Sequence, residues 1–534
     1  MNLKKYILIA AVAMLPLASC TDRLEVEQLG VMTTNTYTTA DDTGVEQFIA
    51  AVYAQIYGNS YDAVMLADAS CWDYLMFDLK QMGWECAEPF TYDETADTDT
   101  YTRSWTYFYR IAYWCSMIIE NVPDNNVASE DVKTQVVAEA RAIRAIMMMW
   151  LCQLYGDAPL VDGVLDGSEG NNPKEDSFEW IVDELETAAA DLPSKGGLGQ
   201  QSSIGGRLTK EAAYAFMGRA QLWNEDYSGA ASTLYNKVIS TGYYALMDDY
   251  NEMNSSSWDF CDENIWEFDF NESSSYAQGQ AGYWALLCWQ PSLSYWWSTY
   301  ASLLFPFGMG AQVASGHVSF MAEHDGTSSS RYAAQILDVC SASLMGSIST
   351  PYSNCEGYLQ AKYLCLAEDI TSNYTYDAYT IRNTPYMRYA EVLLNYAEAV
   401  AMGGSAGSGL SGLEALNLVR TRAGLDEATT LSMDDETYGI KAERRAELFA
   451  EGHRFIDLVR WGDAATELAD CGKYSYMTNL TNAFEYSGIT MYFGFEVVES
   501  ATGGDGFKSG KHELFPIPQT EINTNKNLTQ NTGW

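Results

Sequence analysis

Between Glu443 and Gly462 the chain reads ERRAELFAEGHRFIDLVRWG, and this stretch constrains the fold more than any other. Leu448, Phe455, Leu458 and Trp461 recur at intervals of seven, three and three, while Glu447, Glu451, Arg454, Asp457 and Arg460 recur at three or four. That spacing predicts helix, with opposite charges side by side over an apolar stripe. Gly452 interrupts the run, so the expectation is two helices or one kinked helix, with His453 at the break. His453 beside Glu451 or Asp457 would make an acid/base pair. Helical ion pairs are common and catalytic ones rare, so we expect a laced helix whose charges fix the packing of its neighbours.

The same run resembles the ERR.EL..EG.R..DL.RWG signature of the SusD/RagB family, surface lipoproteins that capture nutrients for a partner transporter. Three further stretches carry the resemblance: EARAIRAIMMMWLCQLYGDAPLV at 139–161, RYAEVLLNYAEA at 388–399 and LFPIPQTEINTNKNLTQNTGW at 514–534. Four matches in the family's order are far more specific than one short motif. The resemblance implies a scaffold of helical repeats that docks on a TonB-dependent, SusC-like outer-membrane barrel. It also implies ligand contacts from variable aromatic loops outside the signatures. Two positions depart from the pattern: Cys115 stands where the family commonly has Asn, and the terminal aromatic, usually Tyr, is Trp534.

Lys4 and Lys5 precede an apolar run from Tyr6 to Leu17, and Leu17-Ala18-Ser19-Cys20 follows. A basic end, about a dozen apolar residues and a small-residue cleavage site predict a secretory signal, too short to span a bilayer. Leu-Ala-Ser-Cys resembles the bacterial lipobox, which predicts a lipid on Cys20 and a mature chain anchored to the outer membrane, facing the cell surface.

With 30 basic against 72 acidic residues and a net charge of −42, the chain repels phosphate backbones, which argues against a nucleic-acid partner. The remaining cysteines show no repeated short spacing, and Cys115 and Cys152 fall inside apolar helical runs, so most are expected to be small buried hydrophobes. No CxxC or HExxH occurs, and there are four histidines, His317, His324, His453 and His512, so no metal and no cofactor is expected. The acidic run Asp93, Glu94, Asp97, Asp99 lacks an EF-hand pattern and is expected to be a solvated loop.

Helical periodicity runs over Asp42 to Tyr57, Tyr101 to Asn121 and Asp131 to Tyr155, where Ala142, Ala145, Ile146 and Met149 share one face. Ala213 to Ile239 resembles a tetratricopeptide unit, with its turn at Asn224 to Asp226. A second helix pair, Tyr386 to Ala401 and Leu410 to Arg422, flanks the loop GGSAGSG. That loop matches GxSxG formally, but a nucleophile elbow needs a strand before its serine, so a flexible connector is expected. The expected fold is all-α, a tetratricopeptide-like helical repeat scaffold with an inserted irregular, loop-rich segment containing short strands, such as Ile265 to Phe270. Its expected divisions are a signal peptide at 1–19, an N-terminal repeat region at 20–245, the irregular segment at 246–384 and a C-terminal helical region at 385–534.

Two aromatic clusters lie outside the signatures. One comprises Trp72, Tyr74, Trp84 and Tyr92; the other includes Tyr283, Trp284, Trp289, Trp296 and Trp297. Aromatic faces suit the apolar C–H patches of sugar rings, and neighbouring polar side chains can hold the hydroxyls. These nine are the candidate ligand residues, and the expected ligand is a glycan. A peptide-binding relative is the alternative within the family, and a glycoside hydrolase the alternative outside it. No catalytic residue is proposed, because among 72 acidic residues some pair falls at glycosidase spacing by chance.

Overall fold

The computed structural model describes residues 34–58, 99–197, 206–254, 258–268, 315–338, 358–360, 362, 383–435, 437–449, 451–469, 474–478, 483–486, 489–492, 495–499 and 507–534. The first half is built from α1 (Asp42–Gly58), α2 (Asp99–Asn121), α3 (Glu130–Tyr155), α4 (Lys174–Asp191), α5 (Lys210–Trp223) and α6 (Tyr227–Thr233). Then come α7 (Ser315–His324), α8 (Ser330–Gln335), α9 (Tyr389–Ala401), α10 (Gly412–Arg422), α11 (Ile440–Glu447) and α12 (Arg454–Trp461).

Helix α3 is the axis of the first half. Ser129 precedes it in extended geometry, Glu130 and Asp131 favour its positive N-terminal end, and Gly156 ends it at φ 71°, donating to the Cys152 carbonyl at 3.0 Å. The one-faced stripe expected from Ala142, Ala145, Ile146 and Met149 is wider in fact. Met147, Met148, Leu151 and Cys152 are buried too, because α1, α2, α4 and α5 all pack against this helix. Cys115 and Cys152 are free thiols, and burial pushes both up to about 12, so they stay protonated and act as small hydrophobes.

The tetratricopeptide-like unit is present as α5 and α6. Thr209 caps the first helix by accepting from the Ala212 amide at 3.2 Å, Glu225 turns the chain at φ 58°, and Asp226 caps the second by accepting from the Gly229 amide at 2.9 Å. Gly218 lets the helices close: a Cβ there would lie 2.4 Å from Leu234. The second pair, α9 and α10, packs on the first, and Ser411 with Glu414 forms a capping box at the start of α10. A helix, not a strand, precedes GGSAGSG, so no nucleophile elbow exists there. The loop is also not the loose connector expected, since a Cβ at Gly404 would lie 2.5 Å from the Tyr227 carbonyl and one at Gly407 2.2 Å from the Tyr235 ring.

The last stretch, 514–534, is stitched to the end of α3. The Phe515 amide donates to the Leu154 carbonyl at 2.6 Å, and Asn531 donates to the carbonyls of Tyr155 and Phe515. Trp534 donates its indole N–H to the carbonyls of Lys511 and Leu514 and meets Tyr101 edge-on. The terminal aromatic thus locks the tail onto the start of α2.

The expected strand near Ile265 is β1 (Asn264–Phe268), antiparallel to β4 (Thr384–Arg388). Likewise β2 (Ile336–Asp338) pairs with β3 (Tyr358–Gln360). The C-terminal region, expected as helical, also carries strands: β5 (Tyr474–Thr478) pairs with β8 (Phe495–Glu499), and β6 (Ala483–Tyr486) with β7 (Ile489–Tyr492). Their Tyr, Phe, Val and Ile content favours strand, a signal that the adjacent helical signature overshadowed.

Candidate functional site

The signature run folds as two helices, α11 and α12, broken where Gly452 adopts φ 77°. Its charges do not lace one helix surface. They reach inward to partners far away in sequence. Glu447, fully buried, receives Arg388 at 3.1 Å and Arg422 at 2.6 Å on one oxygen; the other receives Arg331 at 3.1 Å and the Tyr250 hydroxyl. Arg331 also bridges to Glu443 at 2.5 Å and to Asp325 at 2.8 Å, and Arg420 reaches Glu443 at 2.8 Å. Glu263 takes Arg388 at 2.5 Å and Arg422 at 2.8 Å. Lys362 donates to the carbonyls of Glu447 and Phe449 and to the carboxylate of Glu451, which also binds Arg388.

Five cations (Arg331, Lys362, Arg388, Arg420, Arg422) therefore face five carboxylates (Glu263, Asp325, Glu443, Glu447, Glu451). Burial by itself would push the Glu447 carboxyl up, but Arg422, Arg388, Arg331 and Lys362 bring it down to about 2. It is an ion throughout the neutral range. Glu451 is held low in the same way by Arg388 and Lys362 against its burial.

A second cluster sits on the other side of the break. Asp457 is bidentate with Arg444, at 2.9 and 3.1 Å, and receives Arg460, which also grips Glu398 together with the Trp461 indole N–H. Burial opposes the charge on Asp457, yet Arg444 and Arg460 lower it to about 2. Asp457 with Arg460 is a short-range helical pair of the kind the spacing suggested. The acid/base pair does not form either. His453 faces Glu391 at 3.6 Å, and Glu391 is already doubly bonded to Arg219. Burial drives the imidazole down to about 4 despite Glu391. It is a neutral, sealed group.

A carboxyl that the sequence reading missed is Glu267 on β1. Burial and the neighbouring Asp259 push it up to about 8, although it accepts from the Phe260 amide at 2.7 Å and the Asn264 amide nitrogen at 3.2 Å. A protonated carboxyl beside another carboxylate has the electrostatics of a glycosidase acid. Glu267 is 1% exposed, however, so no glycosidic oxygen reaches it.

Through Arg388 and Arg331 the charged core ties Glu263 and Asp325 to Glu447 and Glu443 of the signature helix α11. The candidate ligand residues Trp72, Tyr74, Trp84, Tyr92, Tyr283, Trp284, Trp289, Trp296 and Trp297 lie outside the described residues, as do Cys20 and the acidic residues Asp93, Glu94 and Asp97. The chain on either side of those stretches is described. Before the second cluster, β1 is fixed by β4, and Trp266 donates to the Gly206 carbonyl at 2.7 Å. After it, α7 stacks His317 on Phe449 at 4.1 Å between ring centroids, and Asp325 binds Arg331. The first cluster is flanked by α1 and α2, joined where the Tyr107 hydroxyl donates to the Ile56 carbonyl at 3.2 Å. Among the described residues no group of three or more metal-ligating side chains comes together.

A family model described as the SusD family matches residues 312–534. A SusD-like protein of Formosa agariphila is 23% identical over 416 residues, covering 72% of this chain and 74% of its own. A SusD-like protein of Bacteroides ovatus is 24% identical over 420 residues, covering 71% and 68%. Among solved structures, a laminarin-binding SusD-like protein superimposes with a TM-score of 0.68 at 24% identity, over 92% of this chain and 100% of that one. Surface glycan-binding protein A of Bacteroides thetaiotaomicron, in complex with laminarihexaose, gives 0.69 at 22% identity over 92% and 100%. Over residues 312–534 the chain matches the SusD family, and across most of its length it shares the fold of these SusD-like structures.

Proposed function

We propose that the chain is a cell-surface lipoprotein, anchored to the outer membrane through Cys20, that captures an oligo- or polysaccharide and passes it to a SusC-like TonB-dependent barrel. The observation that carries this reading is the division of labour in the chain. Its family stretches spend their charges on one another inside the scaffold, while both aromatic-rich stretches lie between anchored elements. Solved relatives in the same fold include a laminarin binder and a laminarihexaose complex, which supports a glycan as the ligand. In this reading 1–19 is removed, 20–245 and 385–534 form the scaffold, and ligand contacts come from 246–384 and from the first aromatic cluster, Trp72 to Tyr92. No catalytic role is assigned: in both charge clusters the buried carboxylates are bound to arginine or lysine, and Glu267 is sealed.

Single alanine changes at Trp72, Trp84, Trp284, Trp289, Trp296 and Trp297 test the ligand site. A stacking platform should lose on the order of 1 to 3 kcal/mol of affinity with little change in melting, taking a micromolar binder to tens or hundreds of micromolar. A core tryptophan should instead lose roughly 3 to 5 kcal/mol of stability. At least two of the six should behave as platforms. If every variant unfolds or binds as the parent does, the aromatic stretches are not the site.

No described helix is long and apolar enough to cross a membrane, so a tethered binder of this kind needs a channel to move its cargo inward. Mild detergent extraction at native expression should bring down a barrel protein in constant proportion. Recovery of this chain alone would remove delivery from the proposal.

A further inference from the structure

Resting on the glycan-binding reading, we propose that the glycan this chain takes is uncharged, and that polymers bearing uronate, sulfate or phosphate groups are excluded by the protein's field. A net charge of −42 alone does not decide this, because a local basic patch can override the sum. The structure answers that objection for the described residues. Most of their lysines and arginines are committed to carboxylates, and the largest group of them, around Glu447, is wholly inside. The acidic residues are the ones left at the surface. Helix α4 shows it plainly: Glu175, Asp176, Glu179, Asp183, Glu186 and Asp191 are all exposed, against Lys174 alone.

One locally positive group stands out among the described residues, Lys508 and Lys511 beside His512. It carries its own counter-charge, since Glu513 accepts from the Gly510 amide within the same turn, and Lys511 lies over the Trp534 ring at 3.9 Å. The sequences of the two aromatic stretches point the same way. Residues 59–98 contain a single base, Lys80, among Asp62, Asp68, Asp73, Asp78 and further acids, and residues 269–314 contain no lysine or arginine. A polyanion finds no guanidinium there and a single ammonium, Lys80, set among acids, to replace its water, whereas an uncharged sugar needs only ring faces and hydroxyl partners.

The test is affinity measured on the full chain in mild detergent, with chelator present. One set of probes is uncharged (laminarin, starch, glucomannan, xyloglucan, arabinoxylan) and the other anionic (polygalacturonate, alginate, chondroitin sulfate). Each is titrated at about 20 and about 500 mM salt, between which the Debye length falls from roughly 20 to roughly 4 Å. Every binder is expected in the uncharged set, with a dissociation constant that moves less than about two-fold between the two salts. An anionic polymer that binds more tightly than any uncharged one, or does so once calcium is restored, overturns the inference and leaves glycan binding standing. A folded protein that binds neither set overturns the glycan-binding reading and this inference with it.

Discussion

Glu447→Ala should cost at least about 3 to 5 kcal/mol of stability, the loss expected when one partner is removed from a buried charge group. Arg331, Arg388 and Arg422 would stay in place, all buried, with the carboxylate that joins them gone. The Tyr250 hydroxyl would lose its acceptor as well, since it donates to the same carboxylate, whereas the Lys362 ammonium donates to the main-chain carbonyl of residue 447 and keeps that bond. Glu447→Gln keeps the shape and one acceptor oxygen, so its loss should fall between that of alanine and the parent. Arg454→Ala is the control from the same motif. It pairs with Glu467, whose side chain is 46% exposed, and such exposed pairs contribute under about 1 kcal/mol. Denaturant midpoints followed by circular dichroism would rank the three, with glycan affinity unchanged in whatever remains folded. If Glu447→Ala melts with Arg454→Ala, close to the parent, the five-and-five charge group does not hold the scaffold together.

That contrast shows where the sequence was readable. The helices were legible because periodicity, caps and turn residues are local: Ser411 with Glu414, the Asn224 to Asp226 turn and the break at Gly452 could each be read from a few neighbours. The partners of the signature charges were not. Glu447 looks like one member of an intrahelical lattice until Arg331, 116 residues away, and Arg388, 59 away, are brought to it by the fold. Arg388 did stand at the head of the quoted stretch RYAEVLLNYAEA, and an arginine that begins a buried helix is a hint of a charge waiting inside. Arg331 and Glu263 sit in unremarkable sequence and gave no such hint. Glu267 was hidden for a different reason, because its raised proton affinity comes from burial and from Asp259, neither of which is a pattern of letters. The ligand residues are legible only as composition, since a binding loop has no period to obey.

The same charges predict a stability optimum near pH 6.5 with unequal limbs. On the acid side, burial holds His453 at about 4 and His512 at about 3, both below the ordinary 6.5. The unfolded chain therefore takes up protons that the native state refuses, and stability falls as pH drops below 6.5, by about 1.4 kcal/mol per unit for each proton. Around His453 the facing groups are Glu391, Arg219, Arg444 and Asp457, and the two arginines add to the refusal. Below about 4.5 the limb steepens. Glu391 and Glu447, ordinarily at 4.5, and Asp457, ordinarily at 3.8, are each held at about 2 in the fold, so their stabilisation is present above the ordinary values and lost as pH falls through the native ones. On the alkaline side Glu267 acts in the opposite sense: raised to about 8, it keeps a proton that the unfolded chain has already released above 4.5. Its contribution shrinks as pH rises, offsetting one histidine between 4.5 and 6.5 and leaving a net decline from 6.5 to 8. Glu267→Gln, which mimics the protonated acid, should flatten that decline and, by removing the offset, steepen the acid limb between 4.5 and 6.5. Urea midpoints taken at half-unit steps from pH 3.5 to 8 would show it. An unchanged decline in the glutamine variant would mean that the alkaline limb comes from some other group.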